Sequence, residues 1–253
     1  MKIIPFLRTS EIFANLAEEE LAEIAELATI RHYPKKSNLF LQHDPIDRFF
    51  IVIDGWVKLF HNTFDGDETV IALMGPGDFF GDVFVTDKFG YPSNAGAIER
   101  SSVVEIPMNT LKKIVKKSPD FSLALLQSLS HSVQRLQLEN EHLTVMDAKQ
   151  RVACYLQQLF FNTNGLSHHN SEKNTLNLPM DKQLLASRLG MKPETFSRSL
   201  KALEEYGVSA NNGQISINDS KHLEHLCCSH CSISPQNCIK MNRFVNHCYL
   251  QKT

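Results

Sequence analysis

The sequence predicts an α+β chain in which a small antiparallel β-roll is followed by a long helix and then by a winged helix-turn-helix. Three observations predict it. Between Asn38 and Ile106, short runs rich in Phe, Ile, Val and Leu are separated by Asp54-Gly55, Asp65-Gly66-Asp67 and Gly75-Pro76-Gly77, which are turn signals. After Pro119, the leucines at 129, 136 and 143 recur every seven residues. Met180 to Val208 reads as helix, tight turn and helix, and the residues after it read as a β-hairpin. The boundaries that follow are 1–118 for the roll, 119–148 for the long helix, 149–220 for the winged domain and 221–253 for a cysteine-rich tail.

In chain order, Glu11 to Leu27 is an acidic amphipathic stretch with Phe13, Leu16, Leu21, Ile24 and Leu27 available for burial, so a helix is expected there. Beyond Pro34 the texture changes to strands at Asn38–Leu41, Arg48–Ile53, Trp56–His61, Thr69–Met74 and Ser102–Ile106, a spacing that suits a small barrel or roll. Met108 to Lys117 is a short basic helix. The helix opened by Pro119 runs to about Ala148, and the companion positions Leu125, Ser132, Glu139 and Met146 are only half apolar. So narrow a seam suits a two-helix contact and assigns Leu125, Leu129, Leu136 and Leu143 to a dimer interface. The competing reading is a helix packed on its own roll. Lys149 to Phe161 is a further helix, Asn162 to Asn174 a polar loop, and Leu176 to Leu178 a short strand.

In the helix-turn-helix, Leu184, Leu185 and Leu189 on the first segment and Phe196, Leu200 and Leu203 on the second recur at helical spacing. Gly190 stops the first helix, and Pro193 suits the opening turn of the second. Glu194, Thr195, Ser197 and Arg198 then stand around the start of the second helix, where a helix entering the DNA major groove carries its base-reading side chains. Arg can bond guanine O6 and N7 in a fork, Glu can accept from cytosine N4, and Ser can serve several bases. Lys201, one turn further on, is a candidate phosphate contact. An ordinary αα-hairpin with a polar outer face is the alternative, but Asn211-Asn212-Gly213 between β-prone runs supplies a wing.

The net charge of −2 hides an asymmetry. Residues 1–148 hold 14 Lys and Arg against 21 Asp and Glu, whereas residues 149–253 hold 12 against 7, so the halves carry −7 and +5. The basic excess lies with the helix-turn-helix, where phosphate contacts need it. There is no run of ~18 or more apolar residues and no apolar signal core in MKIIPFLRTS, so no membrane partner and a cytoplasmic location are expected. No nucleophile–base pair, phosphate loop or paired-carboxylate site recommends an enzyme.

Over roughly residues 10–220 the chain resembles the Crp/Fnr family of bacterial transcription regulators. The resemblance is carried by Gly75-Pro76-Gly77-Asp78-Phe79-Phe80-Gly81-Asp82, similar to the family's Gly-Asp-x-x-Gly-Glu turn, and by Pro193-Glu194-Thr195-Phe196-Ser197-Arg198. It implies a cyclic-nucleotide-binding-like roll and a homodimer on double-stranded DNA, with RNA polymerase as a further partner. The site would be a palindrome with half-site centres about one helical turn apart. In nucleotide-binding members an acidic residue after the turn holds the ribose, and an Arg some ten residues on neutralises the phosphate. Asp82 could fill the first role, but the second falls on Pro92-Ser93, and proline supplies neither charge nor N–H donor. Cyclic AMP is therefore not the expected ligand. Glu194, Ser197 and Arg198 match the Glu-x-x-Ser-Arg pattern of the Fnr branch, which implies a TTGAT-type half-site. There Arg198 would take guanine, Glu194 would accept from cytosine, and Ser197 would help with a thymine.

Fnr uses an N-terminal cysteine cluster, whereas the first cysteine here is Cys154, set among apolar residues as a buried filler. The tail reads LCCSHCSISPQNC and places Cys227, Cys228, Cys231 and Cys238 within twelve residues, with Cys248 beyond. In a cytoplasmic protein such density points to metal thiolates rather than disulfides. An iron–sulfur cluster of the 4Fe-4S type leads, since some Fnr-like members carry such cysteines beyond the winged domain, and Asp147 is a candidate oxygen ligand. His222, His225, His230 and His247 keep zinc open, and a redox-active thiol group and an accidental cysteine-rich tail are further readings. The family's nitrogen-oxide branch, which needs no cysteine cluster, keeps a haem-dependent nitric oxide sensor open. Oxygen, nitric oxide or redox state is the expected signal.

Overall fold

The computed structural model describes every residue except 1–2, 9, 65, 82–89, 165–174, 178–180, 212–213, 219 and 229–253. The chain forms two compact units that divide between Ser130 and His131. The boundary falls inside the long helix rather than at either of its ends.

The first unit opens with α1 (Ile4–Leu7) and α2 (Glu18–Leu27) and then lays down β1 (Thr29–Tyr33), β2 (Asn38–Phe40), β3 (Arg48–Asp54), β4 (Val57–Asn62), β5 (Glu68–Met74), β6 (Phe79–Phe80), β7 (Asn94–Ala97) and β8 (Ser101–Pro107). α3 (Met108–Lys117) and the start of α4 (Pro119–Val145) complete it. The strands make two four-stranded antiparallel sheets, ordered β1-β8-β3-β6 and β2-β7-β4-β5. Phe50 and Val52 of β3 meet Phe40, Val57, Phe80, Tyr91, Ala95 and Val103 in the core between them. Phe49 and Ile51 turn the other way, into a second core shared with Phe13, Leu21, Ile24, Leu111, Ile114, Phe121 and Leu125. Strand side chains alternate between faces, so burial on both makes β3 a continuous apolar run.

The expected helix at Glu11–Leu27 begins only at Glu18. Glu20 reaches back to accept from the Ala17 N–H at 3.2 Å and fixes the helix start there. Ile12 and Phe13 are nonetheless fully buried, in turns. β1, β7 and α1 were not legible in the sequence, since TIRHY is almost wholly exposed and NAGA carries no large side chain. The Gly75-Pro76-Gly77-Asp78 stretch is a type II turn: Asp78 N–H donates to the Gly75 carbonyl at 3.0 Å, and Gly77 has φ +90°. The buried Asp78 carboxylate also accepts from Gly75 N–H at 2.8 Å.

The second unit contains the rest of α4, α5 (Ala148–Asn164), β9 (Thr175–Asn177), α6 (Lys182–Arg188), α7 (Pro193–Ala202), a 3-10 turn (Leu203–Tyr206), β10 (Val208–Asn211), β11 (Gln214–Ile217) and α8 (Ser220–Cys228). β11 pairs with β10 and β9 in an antiparallel sheet. α5 packs against both α7 and α8. Val152, Leu156, Leu185, Phe196, Leu200, Leu203 and Leu223 are buried in this unit.

The long helix corrects the expected seam. Leu125, assigned from sequence to the dimer interface, is only 8% exposed and belongs to the core of its own roll. Its companion Met146 is also buried, and Glu139 is bonded to Arg188. Leu129, Leu136 and Leu143 do stand exposed, at 49%, 61% and 60%, but their companions are Leu126 and Val133. The leucine column at 129, 136 and 143 is therefore the expected one, and only its companion column moves one residue on, because an intramolecular stripe and an outward stripe lie side by side on the same helix.

Candidate nucleic-acid interface

Asp181 caps α6, its carboxylate accepting from Leu184 N–H at 2.8 Å. At the other end the chain reverses through a Schellman motif. Met191 N–H donates to the Ala186 carbonyl, Gly190 N–H donates to that of Ser187, and Gly190 takes φ +60°. Lys192 is extended, as a residue before proline prefers, and Pro193 opens α7.

On α7, Phe196, Ser199 and Leu200 are buried. Glu194, Ser197, Arg198 and Lys201 are exposed, at spacings of three and four that put them on one stripe. Thr195, the remaining sequence-predicted reader, is half-buried at the edge of that stripe. Arg198 Nε donates to the Glu194 carbonyl at 3.4 Å, which lays the arginine stem along the helix. An α-helix with its side chains is about 10–12 Å across and fits a major groove about 12 Å wide. The wing strands are in place, while the tip at Asn212-Gly213 lies outside the described residues.

Two other basic groups of this unit are already engaged. Arg188 donates to Glu139 of α4 at 2.6 Å and lies over the Tyr155 ring. Lys149 sits over the Tyr206 ring and near Glu205. Sequence reasoning missed the Arg188–Glu139 tie, because nothing local relates residues 49 positions apart.

The roll interior is filled by aromatic rings. Tyr91 stacks on Phe40 at 3.8 Å and Phe50 on Phe80 at 5.0 Å. The Tyr91 hydroxyl donates to the Arg48 carbonyl and accepts from Arg48 N–H, and burial pushes its pKa up to about 12. Pro92 follows, and the buried Asn94 spends its amide on Gln42 N–H and the Phe60 carbonyl. The buried Glu105 carboxylate lies 3.4 Å from Arg31 and 3.3 Å from Arg48 and accepts from the Tyr33 hydroxyl. Those guanidiniums already face a carboxylate, so neither replaces the missing phosphate arginine. Asp82 lies outside the described residues. Cyclic AMP at millimolar concentration is expected to change neither melting temperature nor DNA affinity. Saturable stabilisation would contradict this, since any ligand favouring the folded state raises its apparent stability.

Of the cysteines, Cys154 is buried, as expected of an apolar filler, with Gln158 Nε2 at 3.4 Å and His142 Nδ1 at 4.0 Å from its sulfur. Burial pushes the His142 imidazole below the usual histidine range, against the pull of Glu141 and Glu139. The unfolded chain therefore takes up the proton first on acidification, and stability falls as pH drops below about 6.5. His142→Gln is expected to flatten the fall in melting temperature between about pH 7.5 and 5.5; an unchanged slope would contradict the neutral buried imidazole.

Cys227 is 1% exposed, one turn beyond the buried Leu223 of α8. Cys228 ends that helix, and Cys231, Cys238 and Cys248 lie outside the described residues. Among the described residues no three His, Cys, Asp or Glu side chains converge on a metal-binding point. Asp147 is exposed and acts as a helix cap, accepting from Gln150 N–H at 2.8 Å while Gln150 Oε1 accepts from Asp147 N–H at 3.0 Å. No described helix is long and apolar enough to cross a membrane.

An antiparallel roll, a long helix and a helix-turn-helix with an exposed polar stripe, in this order, are the architecture of a DNA-binding transcription regulator. Residues 30–118 match the cyclic nucleotide-binding domain family, and residues 150–226 match the Crp-like helix-turn-helix domain family. The chain belongs to the Crp/Fnr family, whose members bind DNA and act as dimers. It is 27% identical to the cyclic AMP receptor protein of Thermus thermophilus over 87% of this chain and 98% of that one. To the transcriptional activator protein anr of Pseudomonas aeruginosa it is 28% identical over 83% and 85%. A solved putative cyclic nucleotide binding protein from Ruegeria pomeroyi superposes with a TM-score of 0.65 at 29% identity, covering 88% of this chain and 96% of that one.

Proposed function

We propose that this chain is a cytoplasmic, homodimeric regulator of the Fnr-like branch that reads a TTGAT-like palindrome. The observation that carries the reading is the single exposed stripe of Glu194, Ser197, Arg198 and Lys201 on α7. Arg198 forks onto guanine, Glu194 accepts from cytosine, Ser197 assists at a thymine, and Lys201 meets phosphate. RNA polymerase is the partner through which a bound dimer acts on a promoter.

The signal is oxygen, nitric oxide or redox state, received by an iron–sulfur cluster on Cys228, Cys231 and Cys238. The aromatic filling of the roll, with Pro92 in place of a phosphate arginine, supports a signal other than a cyclic nucleotide. The burial of Cys227 takes that residue out of the preferred ligand set. Thiolates hold iron through charge and softness, and such a cluster is dismantled by oxidants, which is the chemistry a redox sensor needs. The cap role of Asp147 leaves its second carboxylate oxygen as the candidate fourth ligand.

The absorption spectrum of anaerobically purified protein tests this reading. Broad thiolate-to-iron absorption is expected. A Soret band would instead establish a haem-dependent nitric oxide sensor, and a colourless protein with stoichiometric zinc would make the tail a structural clip.

A further inference from the structure

The outward stripe of α4 consists of Leu126, Leu129, Val133, Leu136, Asn140 and Leu143, at alternating intervals of three and four. This is a heptad seam in which Leu126, Val133 and Asn140 share one core position and Leu129, Leu136 and Leu143 the other. The five apolar members are all exposed in the single chain. Asn140 is the exception in an otherwise apolar row, and it too is exposed.

The positions flanking such a seam ordinarily choose partner and orientation through ion pairs. Here they are Leu125, Ser132 and Glu139 on one side and Ser130, Gln137 and Thr144 on the other. No opposite charges face each other across a parallel pair of these helices, and Glu139 is already bonded to Arg188 of α6. Specificity falls to Asn140. When two copies lie parallel and in register, the two Asn140 side chains meet, and each amide can donate to the other's carbonyl. A slip of one heptad sets one copy's Asn140 against Val133 and carries the other's past the helix end at Val145, and an antiparallel pair sets it against a leucine. Either leaves its amide buried without a partner, and that is the costly state of a polar group.

We propose that Asn140 is the polar layer that selects a parallel, in-register pair of two copies of this chain at the α4 seam. The proposal rests on the dimer reading above and adds what fixes its register. Asn140 follows directly after Glu139, whose carboxylate holds Arg188 in the first helix of the helix-turn-helix. The register chosen at this layer is thereby handed to the reading helices, whose separation must match the half-site spacing.

The test uses full-length Asn140→Val and Leu136→Lys proteins in sedimentation equilibrium, and in titrations of palindromes with the native spacer or a spacer one base pair longer or shorter. Both residues are exposed in the single chain, so neither change removes its own core. Leu136→Lys should dissociate the dimer. Asn140→Val should tighten self-association by about tenfold or more, or yield species larger than a dimer, and should erode the preference for the native spacer. A single dimer of unchanged affinity and spacer preference in Asn140→Val, with Leu136→Lys dissociated, would overturn the role of Asn140 while leaving the seam intact. A tighter dimer that keeps the wild-type spacer preference would overturn it equally. A wild-type monomer, or a Leu136→Lys protein that still dimerises, would remove the seam itself and the proposal with it.

Discussion

Arg198→Ala is expected to weaken binding to a TTGAT-type palindrome by about 1–3 kcal/mol per half-site, and by nothing comparable on scrambled DNA. The side chain lies on the exposed stripe of α7, its stem held along the helix by the bond from Nε to the Glu194 carbonyl. A forked guanine contact carries sequence information and a phosphate contact does not, so the loss should concentrate at the guanine of each half-site. Lys201→Ala supplies the contrast. Removing a phosphate contact should weaken all sequences alike and lower the salt slope by about 1 per chain. Competition titrations on native and base-substituted duplexes separate the two. An Arg198→Ala loss of the same size on scrambled DNA would reassign that residue to the backbone.

Cys231→Ser is expected to remove most of the iron from anaerobically reconstituted protein while the roll and the winged domain keep their melting transitions. A hydroxyl has neither the softness nor the negative charge of a thiolate, so it cannot hold its share of a cluster. Cys227→Ser is the control. Its side chain is buried in α8, so the expected effect is a loss of stability with iron retained. If cluster and fold are coupled, air should reduce DNA affinity in the wild type and leave Cys231→Ser unchanged, since a ligand shifts a two-state equilibrium only by its differential affinity. Iron retained in full by Cys231→Ser, with normal acid-labile sulfide, would take that residue out of the ligand set.

How far the sequence carried the fold depends on how local each signal is. The helix-turn-helix was legible because Gly190, Pro193 and the leucine spacing are contained within one short stretch, and the Schellman turn and the exposed face of α7 fall where they direct. The roll was legible from β3, whose double burial makes it an apolar run, and from the glycine turns. β1 and β7 were not, because an exposed edge strand and a run of small residues carry no apolar pattern; they exist through pairing with β8 and with β2 and β4.

Of the expected interface, Leu129, Leu136 and Leu143 stand exposed, and only Leu125 is taken into the core of its own unit. Leu129, Leu136 and Leu143 fix the sevens, but both neighbouring columns contain a leucine, at 125 and 126, and only the packing of Leu125 into its own core tells them apart. Counting back from Val133 would have found the outward column, since no valine or leucine extends the other one past Leu125. The Asp147–Gln150 cap was equally visible as an acidic residue three positions before a glutamine at a helix start. Arg188–Glu139 and the filling of the roll by Tyr91 are long-range and had no local signature.

In the proposed function a dimer reads a palindrome through α7, and its affinity follows the state of the C-terminal thiolates. One measurement addresses both halves: fluorescence anisotropy titration of a labelled TTGAT-type palindrome and a scrambled duplex, with anaerobically reconstituted and with air-exposed protein, at one fixed salt concentration. The anaerobic protein should bind the palindrome tightly and the air-exposed protein more weakly, while binding of the scrambled duplex should be weak and insensitive to air. Equal affinity for the two duplexes would contradict sequence reading by α7, and identical palindrome affinity with and without air would contradict the sensor.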